Sequence, residues 1–83
     1  MEKVLINLSV PSAHLKCDMY VSPLLKVKDA AELMERSIAS LSDYRYVPAG
    51  DKFLCWKERN ILLDENSDFL SYGIGNGDHL LLI

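Results

Sequence analysis

The chain is poor in the residues that most active-site chemistry needs. It has two histidines, His14 and His79, and two cysteines, Cys17 and Cys55, spread along the sequence with no CxxC and no metal-ligand spacing. No metal or other cofactor is expected. A nucleophilic enzyme would need one of the cysteines held beside a histidine, and a domain this small offers no deep cleft to keep water away from the chemistry. Catalysis is therefore not expected. The plainer reading of Cys17 and Cys55 is two reduced, small hydrophobes, preferred here over a disulfide.

Positive charge is scarce as well. Nine Lys and Arg face twelve Asp and Glu, a formal net charge of -3, with no basic stripe of the kind that tracks phosphates. Nucleic acid is not an expected partner. Long apolar runs are missing too: the stretch after Met1 is too short for a signal-peptide core, and nothing approaches the roughly 20 apolar residues of a membrane span. Residence in the cytoplasm, without membrane insertion, is the expectation.

What remains is a chain of 83 residues, 49% apolar and 25% charged, the balance of a soluble globular protein. That length makes one domain, 1–83. Val4, Ile6, Leu8 and Val10 are apolar at alternate positions, and Leu15, Cys17, Met19 and Val21 repeat the pattern after Pro11-Ser12-Ala13. Two period-two runs across a tight break predict an antiparallel hairpin. The period then lengthens. Val27, Ala30, Ala31, Met34, Ile38 and Leu41 share one helical stripe, while Lys28, Asp29, Glu32, Glu35, Arg36 and Ala39 fall opposite it. Glu32 and Arg36 are spaced for an i,i+4 pair.

Residues 43–51, with Pro48 and Gly50, read as a loop. Phe53-Leu54-Cys55-Trp56 and Ile61-Leu62-Leu63 are two short strands joined by a polar connection. Phe69-Leu70-Ser71-Tyr72 reads as one turn of helix closed by Gly73, and Tyr72 is expected to tie down a loop backbone through its hydroxyl. Gly75-Asn76-Gly77-Asp78 is a turn; it lacks the lysine and the following helix of a phosphate loop. Leu80-Leu81-Leu82-Ile83 is a last strand, apolar enough to sit centrally in a sheet. The order β-β-α-β-β-(short helix)-β is that of an α+β β-grasp: a five-stranded mixed sheet covered by one helix.

That order, together with Val21-Ser22-Pro23 leading into Val27-Lys28-Asp29, resembles ubiquitin-like proteins. More narrowly, Pro23-Leu24-Leu25-Lys26-Val27-Lys28-Asp29 and Tyr72-Gly73-Ile74-Gly75-Asn76-Gly77-Asp78-His79-Leu80 resemble the YukD/EsaB family, the small cytosolic ubiquitin-like accessory proteins of Firmicute type VII secretion systems. The resemblance implies a binding protein whose partner is a cytosolic domain of a membrane-anchored secretion component. The alternatives are a generic ubiquitin-like scaffold, or a carrier or modifier whose Gly-Gly tail is absent from this chain. Ubiquitin and the sulfur carriers react through such a flexible tail, whereas here Ile83 belongs to the predicted strand, so conjugation is not expected if that is the mature terminus.

Strand parity locates a candidate docking surface. With Val4, Ile6, Leu80 and Leu82 inward, Leu5, Leu81 and Ile83 point out of the sheet on the side away from the helix, and Phe53 and Cys55 follow them on the third strand. These five residues are expected to form one apolar patch rimmed by Lys3, Asn7, Lys57 and His79. A partner protein is its expected occupant; a second copy in a homodimer and the 43–51 loop are the other two. By the same parity Cys17 faces the core and Cys55 faces out, so they cannot pair, and Cys17 is expected to resist alkylation.

Overall fold

The computed structural model of the chain describes residues 3–43 and 52–83. Strands β1 (Val4–Val10) and β2 (Leu15–Val21) pair antiparallel along their full length, Val4 opposite Val21 and Val10 opposite Leu15. A 3-10 turn over Pro11–Ala13 joins them, and His14 closes it in the left-handed region at φ 50°. Helix α1 (Val27–Leu41), strands β3 (Leu54–Trp56) and β4 (Ile61–Leu62), helix α2 (Phe69–Tyr72) and strand β5 (His79–Leu82) follow. The sheet runs β2-β1-β5-β3-β4, with β5 parallel to β1 and antiparallel to β3. This is the β-grasp that the order of elements predicts. The apolar last strand does take a central place.

The core lies between the sheet and α1. Ile6, Leu8, Val10, Leu54, Leu80 and Leu82 are fully buried on the inner face, and Val27, Ala30, Met34 and Ile38 come down on them from the helix. Trp56 joins them, with its ring edge-on to Tyr72 at 6.3 Å and the Arg59 guanidinium 5.5 Å from its centroid. The start of α1 has no side-chain cap, because Lys26 stands where Ser, Thr, Asp or Asn would normally serve. Two of its otherwise unpaired N–H groups are taken instead by a distant loop: Val27 N donates to Ser67 O at 2.7 Å and Lys28 N to Glu65 O at 3.1 Å. Helix α2 is capped locally, with Asp68 accepting from Ser71 N at 2.8 Å and Gly73 ending it at φ 77°. The Tyr72 hydroxyl accepts from Asp64 N at 2.8 Å, the role expected of it.

Three expectations need correction. Glu35 and Ala39 are buried, not on the solvent side of α1. Four-residue spacing puts both in line with buried Ala31, so the covered stripe is wider than the large apolar residues suggest. Leu41, at the other end of that stripe, stands in the last turn of α1 and is exposed. Cys17 does face the core side with Leu15 and Met19, but it is only half-buried, because β2 is an edge strand with one strand neighbour among the described residues. Its protection from alkylation therefore rests less on enclosure. Partial burial, and then the negative charge of Asp18, push its thiol above the usual cysteine range. Glu32 and Arg36 do meet, at 2.7 Å, as the spacing predicts. The loop predicted over 43–51 lies, apart from Asp43, outside the described residues.

Two truncations test the inner set. Ile6→Ala and Leu82→Ala should each lower unfolding free energy by about 2–5 kcal/mol, the cost of a cavity in a packed interior, measured by urea denaturation. A wild-type transition for either would show that its side chain is not in the core.

Candidate docking face

Pairing across the sheet fixes which outward side chains are neighbours. Leu81 on β5 lies opposite Ser9 on β1 and opposite Cys55 on β3, and Cys55 lies opposite Leu62 on β4. Phe53 and Ile83 continue the row on the same face; each donates to the other's carbonyl, at 2.7 and 2.9 Å. Directly opposed residues share a face, so Leu81, Cys55, Leu62, Phe53 and Ile83 form one apolar surface. Phe53 is 44% exposed, Ile83 49% and Leu62 57%, which leaves ample apolar area uncovered. Four of the five predicted residues, Phe53, Cys55, Leu81 and Ile83, are thus brought together. Leu62 is an addition whose signal was its place beside buried Leu63 in a run too short to show a period.

Leu5 does not join them. It is only partly buried and faces outward as expected, but it lies opposite Tyr20, four residues before Ser9 on β1, or about 13 Å along the strand. Its position is held by the turn before β5: Leu5 N donates to Asn76 Oδ1 at 2.7 Å, and Gly77 N donates to Leu5 O at 2.8 Å. A polar row separates the two apolar areas. Asn7 Nδ2 donates to Asp18 Oδ1 at 3.0 Å, Asn7 lies opposite His79, and His79 Nδ1 lies 2.5 Å from Glu58 Oε2. Asn7 and His79, expected on a rim, instead form a divide.

Glu58 secures this row from the β3–β4 turn. Its carboxylate also accepts the backbone N–H of His79 at 2.9 Å, which clamps the turn to β5. Slight desolvation pushes the Glu58 carboxyl up, but the side-chain and backbone hydrogen bonds from His79 outweigh it and hold the group below the ordinary carboxylate range. At the opposite end of the patch, a shallow concavity of ≈ 680 Å³ opens between Leu81 and the β1–β2 turn, with Ser9, Pro11, His14 and Lys16 on its walls. The apolar patch is therefore bounded by a mixed polar row on one side and a notch carrying a lysine on the other. Such a surface suits a protein ligand that presents an apolar anchor. Among the described residues, no three of His, Cys, Asp and Glu converge to hold a metal ion, and no helix is long and apolar enough to cross a membrane.

No protein-family model and no curated protein matches the chain in sequence. Its fold does have close counterparts among solved structures. The ubiquitin-like domain of the Arabidopsis thaliana protein At2g32350 superposes with a TM-score of 0.75 at 15% identity, over 100% of this chain and 78% of that one. Ubiquitin of Caldiarchaeum subterraneum gives 0.70 at 17% identity, over 98% of this chain and 91% of that one. The UBL domain of Plasmodium falciparum Dsk2 gives 0.65 at 14% identity, over 98% and 99%. The chain thus has a ubiquitin-like fold.

The Glu58 clamp makes a pH-dependent prediction. A carboxyl whose pKa is depressed in the folded state stabilises that state fully above the ordinary glutamate value of about 4.3, and loses the effect as pH falls through the folded value. Wild type should therefore exceed Glu58→Gln in urea resistance at neutral pH, and the gap should close in acid. A gap that stays constant would show that the carboxylate charge plays no part.

Proposed function

We propose that this protein is a ubiquitin-like interaction module that docks a partner protein on the outer face of its sheet. The observation that carries the reading is the unbroken apolar surface of Leu81, Cys55, Leu62, Phe53 and Ile83 across three adjacent strands. Exposed apolar patches of this kind mark interaction sites on small soluble proteins. The partner class comes from the sequence. The segments Pro23–Asp29 and Tyr72–Leu80, which resemble the YukD/EsaB family, favour a cytosolic accessory role in type VII secretion, with a cytosolic domain of a membrane-anchored subunit as the ligand. Genes for small WXG-type helical proteins and an FtsK-like ATPase beside this one would support that assignment, and their absence would leave a scaffold in another complex.

The test separates the patch from the rest of the face. Leu81→Ser with Phe53→Ser should keep the far-ultraviolet circular dichroism of the wild type, because neither side chain is part of the core. The pair should abolish partner binding and, in cells, secretion, since anchors at the centre of an interface carry most of its energy. Leu5→Ser, across the polar row, should leave both largely intact. A folded Leu81, Phe53 double variant with normal secretion would remove the patch from the mechanism.

A further inference from the structure

The two edges of this sheet are unequal. Strand β4 is two residues long, too short to template another strand, whereas β2 presents seven residues and no strand lies beyond it among the described residues. The hydrogen bonds of β1 show which β2 groups point away from it. Asn7 N donates toward β5, to Asp78 O, so the alternate residues of β1, including Leu8, direct their backbone groups at β2. Leu8 lies opposite Cys17, and Asn7 opposite Asp18. Cys17 is therefore bonded to β1, and the backbone N–H and C=O groups of Lys16, Asp18 and Tyr20 point out from the edge. Nothing in helix α1 covers them: a groove of ≈ 380 Å³, lined by Met19, Leu25, Leu33 and Met34, separates helix from edge.

We propose that β2 pairs antiparallel with β2 of a second copy about a two-fold axis at Cys17, joining two sheets into one of ten strands. The occupant is identified by complementarity within β2 itself. Centred on Cys17, the pairing sets Lys16 of each copy opposite Asp18 of the other, so opposite charges meet twice on the outer face. The same pairs are the ones whose backbone groups face outward, and each exchanges two N–H···O bonds. On the inner face Leu15 of one copy comes beside Met19 of the other, at the wall of the groove. The other symmetric registers that keep both helices on one side lose this match. A centre at Lys16 or Asp18 opposes like charges, and a centre at Met19 leaves the two charges opposite Ser22 and Tyr20. Edge strands are kept from self-pairing by shortness, Pro, bulges, inward-pointing charge, a covering element or charged side chains; β2 is seven residues long with no Pro and an unbroken register, and its two charges, Lys16 and Asp18, are complementary in this pairing. The outer faces of both copies then lie on one side, which would double the docking surface available to a partner.

The Cys17 pair falls at a non-hydrogen-bonded position, where opposed Cα atoms are about 4.5 Å apart, within the span a disulfide tolerates. The test is sedimentation equilibrium of the reduced protein, followed by oxidation with copper–phenanthroline and peptide mapping. The expected result is a reversible dimer that oxidation traps through Cys17 to Cys17. Asp18→Lys should weaken the dimer by about tenfold or more, because the change acts twice across the axis. Adding Lys16→Asp to that variant should restore it, which a variant merely failing to fold would not show. Leu81→Ser should leave the dimer unchanged, so this outcome is independent of the docking face. A monomer at high micromolar concentration would overturn the proposal. So would a dimer trapped only through Cys55, or one indifferent to charge at position 18.

Discussion

The parallel pairing of β1 with β5 is the contact on which the rest depends. It joins the two ends of the chain, Asn7 to His79 and Ser9 to Leu81, and so has the longest loop to close. Once made, it provides the flank on which β3 and then β4 assemble, and it fixes the parity of every residue on β5. Leu80 and Leu82 turn inward to the core, and Leu81 and Ile83 turn outward to solvent. A slip of one residue would exchange the two sets and leave the core without its central strand. The side chain of Asn76 and the backbone of Gly77, both bonded to Leu5, pin that register where the chain enters β5.

Most of this fold was legible as periodicity. The two hairpin strands, the bounds of α1, the Gly73 stop and the central place of β5 all follow from apolar spacing and turn residues, because burial on one face acts on each residue locally. The same alternation sorted the outward residues correctly but could not place them along the strands. Leu5 and Leu81 share a face; their separation depends on the offset between β1 and β5, which the turn at Asn76 and Gly77 decides. Cys17 shows the second limit. Parity gives the direction of a side chain, whereas its burial depends on what flanks the strand, and among the described residues β2 has a strand neighbour on one side only. Glu35 shows a third: its charge suggested solvent, while its helical position between Ala31 and Ala39 placed it under cover. Leu62 cannot be assigned to a face from the sequence, because a two-residue strand carries no period.

On the two proposals made above, face and edge would give this small sheet two separate means of recognition. The face would offer side chains and select by shape and apolar contact. The edge would offer backbone and select by strand pairing and charge sequence. The row Asp18, Asn7, His79 and Glu58 keeps the main patch from merging with Leu5 and Tyr20. Asp18 would take part in both, since it bonds Asn7 across the face and lies on β2, beyond which no strand lies among the described residues.

A partner protein is proposed to dock on the outer face around Leu81. Site-specific photocrosslinking in growing cells tests it most directly, with a photoreactive residue placed at position 81 or 53 and, in parallel, at position 33 on α1 or 70 on α2. Adducts are expected from 81 and 53 to a common protein other than this chain, identified by mass spectrometry, and none to that protein from 33 or 70. Adducts confined to 33 or 70, or a silent position 81 in a protein that is folded and functional, would contradict it.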